Sequence, residues 1–491
     1  MTSVSTTSTN TLAWKETTPG TFTRPLDTIE SFFKWLADLG VPLKREHWGV
    51  SLALSLSLPD YLPAFEAEPY IRRAWLILSK QHPMLYARPE ANTVTVGPLD
   101  EEEWLKESFF THTGGQVTVD SLFTSIEPAP IVSCHWLPGQ QELILHGSHW
   151  RLDGIGSIKL ADRLLAALCA VVRVGVAAPL ESYGLDLTPL FTPSLDEISN
   201  AYPDEDSTPA AVKKVADNLL QTVLKGAPSI GLPLTPGTEH ALPGPSSRVR
   251  LLLDKTATAA VVAACKSRGI KVTSAVHAAI VQAAAAHPQH PLAKHYCITT
   301  AIDMRRRLPG GDKNKGDGPE LAAGMFISPG LVFIEEPTAA GGFEAIARGF
   351  DATYGADMSR LYDAGGGGGE TVSVAQATAP FARRIVPLLE MPQPEGMPPQ
   401  NAPHLSSIGV VERWLKREYA VDGGEKGSSR ITVEDVWLGG EMITPALCNH
   451  VWTFRDQMTL AAVFNTAYYE EAFVKQVMED VKQNLLSGLH I

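Results

Sequence analysis

The chain has 491 residues, of which 44% are apolar and 19% are charged, and its 41 basic and 54 acidic side chains give a formal net charge of −13. This profile is that of a soluble globular protein, long enough for about two to four domains without disulfide or metal cross-links. The acidic side chains are spread along the chain. We therefore expect no nucleic-acid or anionic-membrane surface, because both favour clustered lysine and arginine.

Residues 1–20 are rich in Ser and Thr, and we predict a disordered N-terminal tail there. They contain no basic stretch followed by an apolar one, so we expect no secretory signal. No apolar run reaches the length of a membrane span. The five cysteines are scattered and odd in number, which is typical of reduced thiols. We therefore expect a cytoplasmic protein.

Helices and strands alternate along the first part of the chain. Apolar residues at helical spacing predict helices, and short β-prone stretches predict strands between them. The predicted helices span 25–39, 70–81 and 155–172, and the predicted strands span 49–58, 92–96 and 142–145. This alternation indicates a layered α/β architecture, and we assign residues 21–180 to an N-terminal domain.

A polar, Pro-rich passage at 181–247 predicts a crossover linker. A strand at 248–253 and helices at 256–268 and 273–286 then restart the pattern, so we assign 248–491 to a second domain. Thr273 and Ser274 are candidate caps of its second helix. Two Gly-rich segments, 310–318 and Gly365–Gly369, predict loops. We expect the second to be an inert insertion rather than a lid over a channel.

The stretch from His146 to Asp153 carries the best chemical signal. A strand ends there in a turn containing His149, and Asp153 and Gly154 follow at the start of a helix. Three interpretations compete: a cap and turn without chemistry, a metal site formed by His146, His149 and Asp153, and a general-base histidine. We disfavour a metal, because residues three apart on a strand face opposite sides and no further ligand cluster stands out. The absence of a G-x-S-x-G elbow excludes an α/β-hydrolase.

His149-Trp-Arg-Leu-Asp153-Gly154 resembles the HxxxDG signature of the chloramphenicol acetyltransferase-like superfamily, which includes plant BAHD acyltransferases, peptide-synthetase condensation domains and fungal trichothecene acetyltransferases. Further matches extend over residues 22–490. Ile302-Asp-Met-Arg305 is similar to the strand whose arginine pairs with the motif aspartate. Ser406 and Ser407 match a strand beside the cofactor channel. Asp435 begins a stretch that resembles DFGWG but departs at its three middle positions. The fungal trichothecene 15-O-acetyltransferase type is the nearest match.

The resemblance implies two similar α/β sandwich domains with a channel at their interface. It implies His149 as the general base and Asp153, Gly154 and Arg305 as structural support of the catalytic turn. Ser406, Ser407 and Asp435 are then candidate channel residues. The co-substrate would be acetyl-CoA or another acyl-CoA, with no metal and no tightly bound cofactor.

We accordingly predict a monomeric CoA-dependent O-acyltransferase that acts on a hydroxyl of a small apolar secondary metabolite, such as a terpenoid or trichothecene. An alternative is a condensation-domain-like enzyme that forms an amide or catalyses a cyclisation or pericyclic step without CoA. Ser148 counts against it, because condensation domains usually carry a second histidine there. A non-catalytic binding protein that keeps the fold is the third possibility. The acidic charge predicts that basic residues gather locally at the entrance for anionic CoA.

Overall fold

The computed structural model describes residues 12–308, 321–337, 342–355, 362–363, 371–421 and 429–491. The strands are β1 Lys15–Thr18, β2 Thr21–Pro25, β3 Val50–Ser57, β4 Arg88–Glu90, β5 Thr93–Val96, β6 Phe109–Thr111, β7 Ser133–Leu137, β8 Glu142–Gly147, β9 Ser246–Leu253, β10 Tyr296–Asp303, β11 Ile327–Ile334, β12 Tyr362–Asp363, β13 Thr371–Val372, β14 His404–Val410, β15 Glu418–Ala420, β16 Arg430–Gly440, β17 Cys448–Phe454 and β18 Gln457–Asn465.

The helices are α1 Thr28–Asp38, α2 Glu68–Gln81, α3 Glu101–Ser108, α4 Val119–Ser125, α5 Gly154–Val174, α6 Leu195–Ser199, α7 Ala210–Gly226, α8 Lys255–Arg268, α9 Val272–Ala285, α10 Phe343–Gly355, α11 Val374–Leu389 and α12 Glu471–Gly488. The predicted α/β class is confirmed. Each helix and strand predicted from periodicity is present, with its bounds shifted by a few residues at most.

The first large sheet has six strands in the order β15-β16-β3-β8-β7-β6. Helix α5 packs on it through apolar residues that recur at helical spacing, including the buried Leu160, Leu164 and Leu168. The helix starts at Asp153, whose side chain accepts the backbone N–H of Gly156, and it ends before Gly175. The end of β8 is thereby joined to the start of α5 by one short turn, at residues 148–153.

The second large sheet has four strands in the order β14-β17-β18-β9, and α8 and α12 pack against it. Helix α9 lies between α10 and α12 and buries an Ala-rich surface. Its N-cap is Lys271, which makes no side-chain capping bond, and the Ser274 hydroxyl instead donates to Asp351. The prediction of Thr273 and Ser274 as caps is therefore wrong.

The C-terminal half contributes two strands to the first sheet. Strands β15 and β16 belong to the predicted C-terminal domain, yet β16 pairs antiparallel with β3 in the first sheet over the whole length of β3. The apolar core around the first sheet accordingly contains residues from both halves, such as Leu54 of β3 and its pairing partner Val436 of β16. The predicted boundaries at 180 and 248 divide the sequence but not the core of the first sheet.

Two expectations about irregular segments need correction. Strand β1 lies inside the predicted disordered tail and pairs with β2, which follows the tail. The prediction of disorder is therefore wrong for Lys15–Thr18. The predicted linker 181–247 contains α6 and the 17-residue α7, which packs on α11. Gly310–Gly318 and Gly365–Gly369 lie outside the described residues. Within the described part of the chain, no helix has the length and apolar character needed to cross a membrane.

Candidate active site

His149 lies in the turn between β8 and α5, with its imidazole half-buried against aromatic side chains. Its ring stacks on Phe33 with 4.4 Å between the ring centroids, and the Trp48 ring lies 6.0 Å away. The Nδ1 atom is 3.4 Å from the sulfur of Met325. An apolar wall therefore surrounds the imidazole and leaves part of it accessible.

The surroundings of His149 keep the imidazole neutral. Burial lowers its pKa to about 4, and this outweighs the opposing effects of a hydrogen bond to its own backbone carbonyl and of the Asp153 carboxylate. At neutral pH the ring therefore carries no charge and keeps a nitrogen lone pair. A neutral imidazole held in place by its own carbonyl can accept a proton from a bound hydroxyl.

Asp153 is buried and uses both carboxylate oxygens to hold the turn. Oδ1 accepts the backbone N–H of Gly156 at 2.7 Å, which caps α5. Oδ2 accepts the backbone N–H of Phe326 and the Nη2 of Arg305, both at 2.9 Å. Its carboxylate thus joins the start of α5 to two segments that are distant in the sequence.

Arg305 is fully buried just after β10 and bonds on three sides. In addition to Asp153, it donates to Asp303 Oδ1 at 2.8 Å and to the carbonyl of Leu321 at 2.8 Å. Burial alone would lower the pKa of Arg305, but the two aspartates together raise it. The structure therefore brings together the predicted residues Asp153 and Arg305 and adds Asp303.

Two glycines open α5, and their surroundings differ. A Cβ on Gly156 would lie 2.3 Å from the backbone oxygen of Ala322, so no larger residue fits without backbone movement. A Cβ on Gly154 would lie 3.1 Å from Cδ1 of Ile408, the end of a flexible side chain. The close approach of the α5 backbone to that of Ala322 thus requires glycine at 156. At Gly154, a predicted support residue, a small side chain meets only a flexible neighbour.

The residue-by-residue prediction missed Arg151, which lies inside the motif. Its guanidinium is fully buried and donates to the backbone carbonyls of Met84, Ala87 and Pro130, at 2.9, 2.8 and 2.6 Å. Burial lowers its pKa to about 9. The position of a charged residue between Trp150 and Leu152 could have drawn attention to Arg151. The three carbonyl groups that it binds cannot be identified from the sequence.

Ser407 lines a cavity of about 200 Å³ beside β14 and the start of α9. Its hydroxyl lies 2.7 Å from that of Thr273. Ser406 is half-buried next to His450 of β17. The cavity wall also includes Lys271, Thr300, Arg307 and Tyr354. Two cations, one carboxylate from Asp303 and the N-terminus of α9 therefore meet here, and the excess of positive charge suits an anion.

Aromatic residues lie between the strand that lines the cavity and His149. His404 begins β14, about 10 Å along the strand from Ser407 at the usual rise per residue, and its ring lies 6.1 Å from the Trp48 ring. Trp48 in turn faces His149. Asp303 provides a second link, because it lines the cavity and binds Arg305.

Asp435 lies at the other end of the first sheet. It pairs with Ser55 of β3, which pairs with Glu142 at the start of β8, whereas His149 follows the end of that strand. The length of β8 separates the two ends, about 16 Å at the usual rise per residue. The Asp435 carboxylate forms an ion pair with Arg250. The structure therefore does not bring Asp435 together with His149.

The metal alternative lacks the required geometry. His146 points its Nδ1 at the hydroxyl of Ser51, 3.0 Å away, rather than toward His149. Across the described residues, no group of three His, Cys, Asp or Glu side chains is placed to hold a metal ion.

Known proteins resemble this chain over nearly its full length. Residues 243–310 match the family model of the phthiocerol/phthiodiolone dimycocerosyl transferase C-terminus. The lolU1 protein of Epichloe uncinata, named a loline biosynthesis cluster 1 transcription factor, is 33% identical over 97% of this chain and 96% of its own. The acetyltransferase pigO of Monascus ruber is 27% identical over 98% of this chain and 99% of its own.

A solved structure shows the same fold. The TRI3 trichothecene 15-O-acetyltransferase from Fusarium sporotrichioides superposes with a TM-score of 0.77, covering 97% of this chain and 98% of its own, at 16% identity. The epimerization domain of tyrocidine synthetase B has a TM-score of 0.55. At 33% identity over nearly the whole of both chains, this chain belongs to the same family as lolU1, and its fold is that of the condensation-domain-like acyltransferases.

Proposed function

We propose that the protein is an acetyl-CoA-dependent O-acyltransferase in which His149 is the general base. The observation that carries the proposal is the neutral, half-buried imidazole of His149. It lies on a turn that the ion pair of Asp153 and Arg305 stabilises. Acetyltransferase relatives of the same length, such as pigO, support the reaction class.

The reaction requires one base and close positioning. His149 takes the proton of the acceptor hydroxyl as its oxygen attacks the thioester carbonyl. The tetrahedral intermediate then breaks its C–S bond, and the imidazolium returns the proton to the departing thiolate. The products are the ester and free CoA. General-base assistance contributes about 10²–10⁴-fold, and holding both reactants in place contributes more.

The cavity beside β14 fits the co-substrate. Lys271 and Arg307 bring positive charge to a chain whose net charge is −13, and the first turn of α9 adds the favourable end of a helix dipole. The hydroxyls of Thr273 and Ser407 provide neutral hydrogen-bonding partners. We propose that the phosphates of CoA bind here and that its thioester reaches His149.

The acceptor is proposed to be a small apolar alcohol. Phe33, Trp48 and Met325 surround the imidazole and provide apolar contact surface rather than charge. The relatives include an azaphilone biosynthesis cluster protein from Aspergillus terreus, 24% identical over 91% of both chains. We therefore propose a hydroxylated secondary metabolite of terpenoid or polyketide type as the acceptor.

The name of lolU1 raises transcriptional regulation as a rival function. Non-specific attraction to DNA requires clustered positive charge, whereas this chain has a net charge of −13. The decisive experiment incubates the protein with labelled acetyl-CoA and a panel of hydroxylated metabolites, with mass spectrometry as readout. The expected product is heavier by one acetyl group. Absence of CoA binding in calorimetry at millimolar concentration would contradict the proposal and favour condensation-type chemistry.

His149→Ala tests the base, with the exposed His240→Ala as its matched control. We expect His149→Ala to lose about 10²–10⁴-fold in acetyl transfer while its melting temperature stays close to that of the wild type. His240→Ala should leave both unchanged. Retention of more than about a tenth of the activity in His149→Ala would show that another group removes the proton.

A further inference from the structure

Glu46 is a buried acid that contacts the catalytic turn from the opposite side to Asp153. The residue is 4% exposed, and it lies just before β3. Oε2 accepts the hydroxyl of Ser148 at 3.0 Å. The backbone N–H of His149 also lowers the pKa of this carboxyl. Glu46 therefore binds the residue immediately before the general base.

The second oxygen of Glu46 is buried without a hydrogen-bond partner among the described residues. Leaving a charged oxygen in this state costs free energy, so the arrangement is unfavourable for stability alone. A buried polar group of this kind calls for an explanation, of which a functional role is one. Glu46 has its place beside the His149 turn.

The charged groups around Glu46 have opposing effects on its carboxylate. The guanidinium of Arg151 attracts its carboxylate without a direct hydrogen bond, whereas Glu441 repels it. Glu441 accepts the backbone N–H of Glu46 and forms an ion pair with Arg45.

The adjacent His47 is neutral, since burial lowers its pKa to about 3. Burial dominates for Glu46 too and raises its pKa to about 7, against the opposing effects of Ser148 and Arg151.

We propose that Glu46 is a positioning residue whose carboxylate form holds the Ser148–His149 segment and stabilises the imidazolium that forms on His149 during transfer. The inference rests on the proposed function. The carboxylate is a stronger acceptor than the neutral acid for the Ser148 hydroxyl. Its negative charge beside the His149 turn also favours the positive charge that forms on the imidazole.

The proposal changes which group controls activity near neutral pH. His149 is already deprotonated above a pH of about 4, so its own titration does not limit transfer at a pH of about 6–8. Glu46 loses its proton as pH rises through about 7. We therefore expect kcat/KM to rise with pH across that range, following the ionisation of Glu46 rather than of the base.

The test measures kcat/KM against pH for the wild type, Glu46→Gln and Ser148→Ala. Glu46→Gln keeps the size and the acceptor oxygen but cannot ionise. It should lose the rise near pH 7 and run about 10-fold below the wild type at a pH of about 8, mainly in kcat. Ser148→Ala removes a hydrogen bond that lowers the pKa of Glu46. In this variant the rise in kcat/KM should therefore move to higher pH.

Glu142→Gln is the matched control. Glu142 also accepts a serine hydroxyl, that of Ser55, and burial raises its pKa, but it lies at the far end of β8. This variant should keep the wild-type profile. An unchanged rise in Glu46→Gln would overturn the inference, even if wild-type protein transfers acetyl groups normally.

A second readout does not depend on turnover. For the wild type, the infrared difference spectrum between a pH of about 6 and one of about 8 should contain the C=O band of a protonated carboxyl. The same band should be missing from the difference spectrum of Glu46→Gln. Identical spectra for the two proteins would overturn the inference. A wild type that shows this band but transfers no acetyl group would instead refute the proposed function.

Discussion

The Oδ2 atom of Asp153 lies 2.9 Å from the Nη2 atom of Arg305, although 152 positions separate the two residues in the chain. Both side chains are almost completely buried. This ion pair fixes the start of α5 against the segment after β10, and it therefore couples the His149 turn to the wall of the proposed CoA cavity.

Removing either partner should destabilise the protein strongly. Arg305→Met leaves Asp153 and Asp303 without their shared cation, and Asp153→Asn leaves Arg305 with one carboxylate. For a buried pair the expected loss is about 3–5 kcal/mol when one partner is removed. Urea denaturation of both single variants and the double variant measures it. Strictly additive losses would show that the two residues do not interact energetically.

Gly156→Ala and Gly154→Ala form a second matched pair within the first turn of α5. The added methyl at 156 meets the fixed carbonyl of Ala322, whereas at 154 it meets the movable end of Ile408. We expect Gly156→Ala to lower the melting temperature by several degrees, equivalent to about 1–3 kcal/mol. Gly154→Ala should change it much less. Equal effects would contradict the close backbone approach at 156.

Lys271→Ala tests the location of the CoA site. Loss of a charge-assisted bond to phosphate costs about 1.5–3 kcal/mol, so KM for acetyl-CoA should rise about 10–100-fold with little change in kcat. With S-acetyl-pantetheine, which has no nucleotide phosphates, the variant should resemble the wild type. The control is Lys80→Ala, because Lys80 pairs with Glu101 on α3, in the other half of the chain. An equal KM increase for both thioesters would argue against phosphate binding by Lys271.

Acid should destabilise the fold before carboxylates on the surface are protonated. Burial lowers the pKa of several histidines to about 3 or 4, namely His47, His82, His135, His146, His149, His277, His404 and His450. Unfolding restores their pKa to about 6.5, so the unfolded chain binds more protons as pH falls from about 6.5 to about 4.

Buried carboxyls with a raised pKa oppose this effect, because the folded protein keeps their protons at pH values where the unfolded chain releases them. They are Asp27, Glu46, Glu142, Asp196 and Glu441. The histidines are more numerous, so the free energy of unfolding should fall across this window. His450→Gln should flatten the slope by about one proton, or about 1.4 kcal/mol per pH unit. An unchanged slope in that variant would contradict a neutral, buried His450.

Local patterns in the sequence predicted the elements that position the site. Apolar spacing is enough to predict α2, β3, β8 and α5, because each element buries one face of its own segment. The turn at His149 followed from its place between a strand and a helix. The partner of Asp153 did not, since only resemblance to known acyltransferases pointed to Arg305.

Long-range contacts account for what the sequence did not predict. Glu46 precedes the motif by about a hundred residues, and nothing near it in sequence marks its contact with Ser148. Lys271 caps α9 without a capping side chain, so the usual polar signal pointed to Thr273 instead. Asp435 matched a family pattern, but its place in β16 is set by pairing with β3, which no local feature encodes.

The pairing of β16 with β3 also affects how the protein is made. Strand β3 leaves the ribosome several hundred residues before Val436, the partner of its Leu54, is added. Until then one edge of β3 has open N–H and C=O groups and apolar side chains, which favour aggregation. The first sheet therefore stays incomplete until β16 is made, and a chain cut before β16 would leave β3 without one of its two neighbouring strands.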